Sequence, residues 1–383
     1  MHSIIIKCTL TIHRGCYANR PIEQLSDRML AIQALQLLFF WEIAYLLDRM
    51  NNSSDNLICR HTFNAQQLVD SHPAKIRNAN KKIVHRIACP PNSIHQGEIV
   101  FSRWRSIELA EISPSLTDRT EIQEQKSYFK YPRSQHRDRL VEWYLNFAHS
   151  DLFCAYGERV FAQDEMQVAE HPVLASLREA LLDAKIDPFT VERGEPTPIL
   201  IRGIERRCEI ATNIDSEQGR PLGLYGNNFA KAPAAAIELA TTPIDPPTIT
   251  NIIAMEAPSG GYNFYEYDII EFILTTAVTG FTAAKIESQL EIASPIVSIH
   301  TGFWGCGAYG GNRILMALLQ LLAARLAQID KLVFHTTDDA GAKALATARS
   351  IIDRELVIAE ASIPQILDKI YAKAFKWGIG DGN

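Results

Sequence analysis

The sequence has few of the features that mark nucleic-acid-binding, disulfide-rich or metal-binding proteins. It carries a net charge of −6 over 383 residues and has no long run of Lys or Arg, whereas binding to duplex nucleic acid needs clustered cations. The seven cysteines are odd in number and include no C-x-x-C pair, and the eleven histidines lack the H-x-x-x-H spacing of many metal sites. We therefore expect reduced thiols, an intracellular, cytoplasmic location and no direct binding to duplex nucleic acid.

Patterns that would indicate a membrane protein are also missing. The N-terminus does not show a charged segment followed by a long apolar run, as a signal peptide would. The most apolar stretch, Ala34–Leu47, is too short to span a bilayer and contains Glu42. The sequence predicts a buried helix there and no association with a membrane.

The chain does contain an alternation of strand and helix patterns after residue 95. Strands are predicted at Glu98–Trp104, Trp143–Ala148, Pro198–Ile204, Thr250–Ala257, Ile296–Thr301 and Lys331–Thr336, and helices at Pro172–Leu182, Tyr265–Gly280, Ile314–Leu326, Ala340–Arg349 and Ile363–Trp377. This alternation predicts an α/β sandwich around a mainly parallel sheet. Ser113–Lys130 is expected to be an irregular surface segment.

A domain boundary is predicted near Cys89–Asn92, because this stretch contains two adjacent prolines, which stop regular structure. We expect a mostly helical accessory region over residues 1–95 and an α/β domain over residues 96–383.

The most informative stretch follows the predicted strand Ile296–Thr301. The segment Thr301–Asn312 holds five glycines, and it leads into an apolar helical pattern. Glycines allow positive φ and a close approach of the backbone to a ligand, and a helix N-terminus presents free N–H groups and a positive dipole end. A strand, a glycine loop and a helix in this order favour a binding site for a phosphate or a nucleotide.

The same loop also contains G-x-G-x-x-G, at Gly305, Gly307 and Gly310, which leaves a nicotinamide-dinucleotide oxidoreductase open. Asp338 or Asp339, just after the next predicted strand, would then hold the ribose. Against this alternative, four residues (301 to 304) precede the first of these glycines at or beyond the strand end, and little chain follows for a full nucleotide domain. No G-K-[S/T] is present, so a P-loop is not expected.

A second loop, over residues 149–174, follows the predicted strand Trp143–Ala148. Ligands of such sheets bind at the carboxyl ends of the strands, and this loop contains Gln163, Asp164 and Glu165. Two adjacent carboxylates repel, so one of them is driven toward its protonated form if the site is dry. That is the condition for a general acid near neutral pH, although most acidic pairs are simply solvated.

The two loops together resemble the poly(ADP-ribose) glycohydrolase family. T-G-F-W-G-C-G-A-Y-G-G at residues 301–311, with L-M-A-L-L-Q-L-L-A-A after it, resembles that family's T-G-N-W-G-C-G-A-F-G-G-D loop and L-x-x-L-x-Q-x-L-A-A helix. Residues 145–174 can be laid without a gap on the family's V-D-F-A-N, G-G-G and Q-E-E segment, with Gln163, Asp164 and Glu165 on Q-E-E. The resemblance covers about residues 96–340 and implies a macrodomain, that is, a three-layer α/β sandwich with a mixed sheet.

The resemblance also implies roles for individual residues. Glu165 would be the general acid/base that hydrolyses ribose–ribose O-glycosidic bonds in ADP-ribose polymers or related ADP-ribose conjugates, and Asp164 would hold the leaving ribose. The loop Gly302–Gly311 would wrap the diphosphate, with Tyr309 against the distal ribose and with no metal or cofactor. The substrate-binding positions implied are Gln163, Asn146, His149, Phe153, Cys154, Ala155, Gly302, Phe303, Trp304, Gly305, Cys306, Gly307, Ala308 and Tyr309.

Several positions depart from the family's pattern. The differences are Phe153, Cys154 and Ala155 for three glycines, Asn146 for Asp, His149 for Asn, Phe303 for Asn and Asn312 for Asp. A Cβ where the family has glycine restricts how closely the backbone can approach a ligand. A second hypothesis therefore stays open, a catalytically inactive macrodomain that binds ADP-ribose or another nucleotide.

Overall fold

The structure is a computed structural model, and it describes residues 56–112, 120–131, 139–356 and 361–380. The helix expected at Ala34–Leu47 and the larger part of the expected accessory region lie outside these ranges.

An eight-stranded sheet organises the described part of the chain, and a small two-stranded hairpin (β5 and β6) stands apart from it. The strands are β1 Leu57–Asn64, β2 Glu98–Trp104, β3 Glu121–Gln125, β4 Leu140–Ala148, β5 Val191–Glu192, β6 Glu195–Pro196, β7 Ile199–Ile210, β8 Thr241–Glu256, β9 Ile296–Thr301 and β10 Lys331–His335. The order across the large sheet is β1-β2-β7-β8-β4-β9-β10-β3. Pairs from β1 to β8 are antiparallel, and pairs from β8 to β3 are parallel. The mixed sheet implied by the family resemblance is thus confirmed, whereas the alternation of strands and helices predicted only its parallel half.

Helices cover both faces of the sheet. They are α1 Ala65–Ser71, α2 Ala79–Ala88, α3 Gln163–Glu170, α4 Val173–Asp183, α5 Asn227–Lys231, α6 Ala234–Ala240, α7 Tyr267–Glu291, α8 Arg313–Leu326, α9 Asp339–Ile351 and α10 Ile363–Tyr371. One face is packed by α7, α8, α9 and α10 through a cluster of buried apolar side chains that includes Trp143 and Ile299. The other face is packed by α1, α3 and α4 through a second apolar cluster that includes Phe153 and Leu177. The fold is therefore a three-layer α/β sandwich of the macrodomain type.

Burial explains why the central elements read as apolar runs. Strand β4 is covered on both faces, so Trp143, Leu145 and Ala148 are all fully or almost fully buried, as is usual for a strand within a parallel sheet. Helix α7 is long and apolar enough to match a membrane span by length and composition, but most of that apolar window is buried inside the protein.

The described residues before residue 95 belong to the sheet unit rather than to a separate accessory region. Strand β1 pairs antiparallel with β2, with Phe63 opposite Ile99, and Arg60 forms an ion pair of 2.5 Å with the buried Glu287 of α7. The chain accordingly divides between Asp55 and Asn56 instead of at residue 95. The two prolines that suggested a boundary lie in the loop between α2 and β2.

Two further elements differ from the sequence-based expectations. Strand β3 lies within the segment Ser113–Lys130 that was expected to be irregular, and it forms the parallel edge of the sheet beside β10. The final helix, α10, ends at Tyr371 rather than at Trp377, so that the chain beyond it follows a different path.

Candidate active site

A cleft lies at the carboxyl ends of the neighbouring parallel strands β4 and β9, where the two loops singled out from the sequence meet. It has a volume of about 190 Å³. Its lining residues are Phe147, Ala148, His149, Cys154, Ala155, Val160, Ala162, Gln163, Asp164, Glu165, Tyr225, Ala257, Trp304, Gly305, Gly307, Ala308 and Tyr309. The acidic loop supplies one wall and the glycine loop supplies the other.

The first turn of α3 presents the acidic pair to the cleft. Gln163 anchors this turn to β4, because its side-chain amide donates to the carbonyl of Leu145 (2.9 Å) and accepts from the N–H of Phe147 (2.7 Å). One carboxylate oxygen of Glu165, Oε2, accepts a hydrogen bond of 2.9 Å from the backbone N–H of Ala162. Carboxylates are favoured at a helix N-terminus by the dipole and by the free N–H groups, so this wall suits an acidic pair. Glu165 also lines the cleft.

Asp164 is buried, as Glu165 is. Its residue surface is 7% exposed, and its Oδ1 accepts a hydrogen bond of 3.1 Å from the amide of Asn146. Burial, with the negative charge of Glu165 as a smaller cause, raises the pKa of Asp164 to about 8. This raised pKa favours the protonated form of one carboxyl of the pair at neutral pH.

A buried lysine lies behind the acidic wall, and sequence reasoning did not find it. Lys81 of α2 is 3% exposed and donates a hydrogen bond of 3.1 Å to the carbonyl of Ala155. Burial lowers the pKa of Lys81 to about 8, while the nearby charges of Glu165 and Asp164 act in the opposite direction. A single Lys in a helix carries no recognisable pattern, so only the fold reveals that it faces the acidic pair.

The turn that replaces the family's three glycines keeps a glycine-like backbone at its first position. Phe153 has a φ of 57°, in the left-handed region that favours glycine. Its ring is fully buried in the apolar cluster under α4 and does not line the cleft. Cys154, which is exposed, and Ala155 do line the cleft. The sulfur is only partly desolvated, but this desolvation, with the negative charges of Asp151 and Asp164 as smaller causes, raises the pKa of the Cys154 thiol to about 11, so the thiol is neutral.

The glycine loop is tightly held from behind. The fully buried Trp304 donates from its indole N–H to the carbonyl of Met255 (3.0 Å). Gly305 has a φ of 72°, and a Cβ there would lie 2.5 Å from that of Ala257, so both its conformation and its surroundings require glycine. At the end of the loop, the side chain of Asn312 accepts from the N–H groups of Ile314 (3.0 Å) and Leu315 (3.1 Å). It thereby caps α8, as the family's Asp could.

Five of the implied substrate-binding positions do not line the cleft, and each has another contact. They are Asn146, Phe153, Gly302, Phe303 and Cys306. Asn146 is fully buried against Asp164, Phe153 is in the apolar core, and the carbonyl of Gly302 accepts from Gln320 (3.0 Å). The ring of Phe303 packs edge-on against Phe334, and the thiol of Cys306 points to the carbonyl of Trp304.

The acidic residues considered for a dinucleotide ribose are engaged elsewhere. Asp338 caps α9 by accepting from the N–H of Gly341 (2.6 Å), and Asp339 forms an ion pair of 2.9 Å with Lys126. The cleft instead includes Ala257, at the end of the predicted strand Thr250–Ala257, and Tyr225, which no sequence motif had indicated.

Comparison with known proteins gives a family match for the C-terminal half of this site. The model described as poly(ADP-ribose) glycohydrolase, Macro domain fold, matches residues 224–344. Similar solved structures include poly(ADP-ribose) glycohydrolase from Thermomonospora curvata (16% identity, 71% of this chain and 99% of that chain, TM-score 0.44). Another is the enzyme from Deinococcus radiodurans in complex with ADP-ribose (14% identity, 77% of this chain and 94% of that chain, TM-score 0.39). The family model, rather than these overall likenesses, carries the comparison. Residues 224–344, which contain β9, the glycine loop and α8, are thus similar to the poly(ADP-ribose) glycohydrolase family.

Proposed function

We propose that this protein is a glycohydrolase that cleaves the ribose–ribose O-glycosidic bonds of ADP-ribose polymers or of related ADP-ribose conjugates. The observation that carries the proposal is that Asp164, Glu165 and the glycine loop line one cleft although they lie far apart in the chain. An acid/base group and a diphosphate-binding loop must share a site for this reaction, because a catalytic carboxyl acts only within hydrogen-bond reach of its substrate.

In this proposal the glycine loop binds the diphosphate of the ADP-ribose unit. Gly305 and Gly307 line the cleft without side chains, so their backbone can come close to phosphate oxygens. Tyr309 lines the same wall and would pack against the distal ribose. No metal or cofactor takes part.

Glu165 then carries the proton through both halves of the reaction. The acidic pair holds one proton, which the raised pKa of Asp164 keeps there at neutral pH. Through Glu165 this proton passes to the bridging oxygen, the C–O bond of the distal ribose breaks, and the bridging oxygen leaves as a ribose hydroxyl. Glu165 next removes a proton from water as the water oxygen bonds to the oxocarbenium-like carbon, which regenerates the acid. Asp164 is then the carboxylate of the pair, and it accepts a hydrogen bond from the hydroxyl of the leaving ribose.

A second candidate function is a catalytically inactive ADP-ribose or nucleotide reader, and one observation favours it. The side chains of Cys154 and Ala155 line the cleft where the family has glycines, so they occupy space next to the substrate. Retention of the acidic pair favours the hydrolase, since a reader has no need of a buried carboxyl that holds a proton.

The discriminating experiment compares the wild-type protein with Glu165→Gln on poly(ADP-ribose) and on mono-ADP-ribosylated protein. We expect the wild type to release ADP-ribose and Glu165→Gln to do so at least about 100-fold more slowly, the usual worth of a general acid/base. Glu238→Gln, at a half-exposed carboxylate paired with Arg86, is the matched control. Binding of ADP-ribose without any release by the wild type would establish the reader instead.

The partner we propose is accordingly an ADP-ribose polymer or an ADP-ribosylated protein, rather than duplex nucleic acid or a membrane. The cytoplasmic location expected from the cysteines stays a prediction.

A further inference from the structure

The chain after α10 returns to the glycine loop and lies along the side of it. The N–H of Gly378 donates to the carbonyl of Gly310 (2.8 Å), and the side chain of Asn312 donates to the carbonyl of Lys376 (2.8 Å). We call residues 375–380 the C-terminal strap. The strap lies beyond the residues that match the family model, which end at 344.

The contact between strap and loop is backbone against backbone. A Cβ on Gly380 would lie 2.4 Å from the carbonyl oxygen of Ala308, and a Cβ on Gly310 would lie 2.8 Å from the N of Gly380. Both distances are too short for a real Cβ, so glycines are required on each side. Ala308 lines the cleft, and the strap therefore lies against a residue of the cleft wall next to Tyr309.

Trp377 fastens the strap to the rest of the protein. Its ring stacks on that of Tyr265, with centroids 3.9 Å apart and planes at 11°, and its backbone N–H donates to the carbonyl of Asn263 (2.9 Å). The hydroxyl of Tyr265 in turn accepts from the backbone N–H of Asn312 (3.0 Å). Removal of the Trp377 ring would leave the backbone hydrogen bonds of the strap in place, but it would remove the stacking contact on Tyr265 and so loosen both the strap and the hydroxyl contact at the end of the glycine loop.

We infer that Trp377 is a positioning residue for ligand binding, and that the C-terminal strap holds the glycine loop in the conformation that accepts the diphosphate. This inference rests on the proposed function. Its physical basis is that a glycine-rich loop has many accessible conformations, and a loop ordered before binding does not lose that freedom when the ligand arrives.

The test compares wild type, Trp377→Ala and Trp377→Phe in the full-length chain. Calorimetry gives the Kd for ADP-ribose, and amide hydrogen exchange without ligand reports on the loop at residues 302–312. We expect Trp377→Ala to speed exchange in the loop and to weaken ADP-ribose binding about 3- to 10-fold, the equivalent of one aromatic stack. Trp377→Phe should restore most of both. If the protein turns over polymer, KM should change more than kcat, since Trp377 touches no reacting atom.

Tyr371→Ala is the matched control, because it removes an exposed ring at the end of α10 that meets Tyr267 and not the loop. It should leave loop exchange and Kd unchanged. An unchanged affinity of Trp377→Ala for ADP-ribose, with or without faster exchange, would overturn this inference and leave the proposed function standing. Failure of the wild type to bind ADP-ribose would overturn the proposed function and this inference with it.

Discussion

The amide of Asn146 donates a hydrogen bond of 3.1 Å to Oδ1 of Asp164, and both side chains are buried. The same amide nitrogen donates to Gln167 at 2.9 Å. A carboxylate at this position, as the family pattern has, could accept but not donate unless it were protonated. The substitution of Asn for Asp therefore replaces a third negative charge with a donor that holds the carboxyl of Asp164 in place.

Asn146→Asp should destabilise the protein, and more at alkaline than at acidic pH. The change removes a donor from two buried acceptors and adds a like charge beside Asp164, which we expect to cost about 2–4 kcal/mol of unfolding free energy. Urea denaturation at about pH 5 and about pH 8 would measure the loss. An equal loss at both pH values would contradict the electrostatic explanation.

Asp164 should make the stability of the wild-type protein fall as the pH rises toward 8. Burial raises its pKa from 3.8 to about 8, so the folded protein keeps a proton that the unfolded chain releases in this interval. The stabilisation is fully present below about pH 4 and is lost as the pH rises through the folded-state pKa. Asp164→Asn, which has no such group, should lose less unfolding free energy between about pH 5 and about pH 8. A wild-type profile no steeper than that of the variant would be inconsistent with a raised pKa.

Substitution by glycine should lower the unfolding free energy at position 153 but should mainly affect ligand binding at position 154. Phe153→Gly relieves a left-handed backbone, worth about 1 kcal/mol, but it empties the site of a fully buried ring, which costs about 3–5 kcal/mol. Cys154→Gly removes an exposed side chain from the cleft wall, so unfolding free energy should change by less than about 1 kcal/mol. Cys154→Gly should also tighten ADP-ribose binding, because the ligand gains the space of the removed side chain. Thermal unfolding and calorimetry check both results, and weaker binding by Cys154→Gly would show that this thiol helps to hold the ligand.

Glu287→Gln should be strongly destabilising. The carboxylate is completely buried and lies 2.5 Å from Arg60 of β1 and 3.4 Å from Arg202 of β7. Its removal leaves two partly buried guanidinium groups without their shared partner, at a cost of about 3 kcal/mol. Glu291→Gln, one turn further along α7 and half-exposed beside the same Arg202, is the control and should cost less than about 1 kcal/mol. Similar midpoints in urea for the two variants would contradict this account.

The sequence was sufficient for the elements that have both strong patterning and strong burial. Strand β9 has the bounds expected from its alternation, and α8 begins one residue earlier than its pattern indicated. Strand β3 was missed because its sequence, E-I-Q-E-Q, is largely polar and lies at the edge of the sheet. The adjacent prolines suggested a boundary because proline excludes regular structure, but proline does not distinguish a loop within a domain from a linker between domains.

The candidate site was predictable where motifs carry it and unpredictable where tertiary packing does. The sequence motifs were sufficient to predict Gln163 to Glu165 and the glycine loop as parts of the site. They could not indicate which way Phe153 and Asn146 point, because adjacent positions on a loop or strand face opposite sides. Lys81 and Trp377 lie outside the motifs altogether, and they reach the site only through the path of the chain.

Both walls of the cleft are fixed to β4 and β9, because the glycine loop follows β9 directly and the side chain of Gln163 ties the acidic wall to β4. The two strands are hydrogen-bonded neighbours from Leu140 opposite Ile296 to Tyr144 opposite His300. The spacing between the walls is therefore set by one pairing of adjacent strands and not by the length of chain that separates them. Insertions or deletions between α4 and α7 that leave Tyr225 and Ala257 in place could accumulate in related proteins without changing the width of the cleft. The loops between α4 and α7 are thus free to vary in length, although they lie in the chain between β4 and β9, the two strands whose pairing sets the geometry of the cleft.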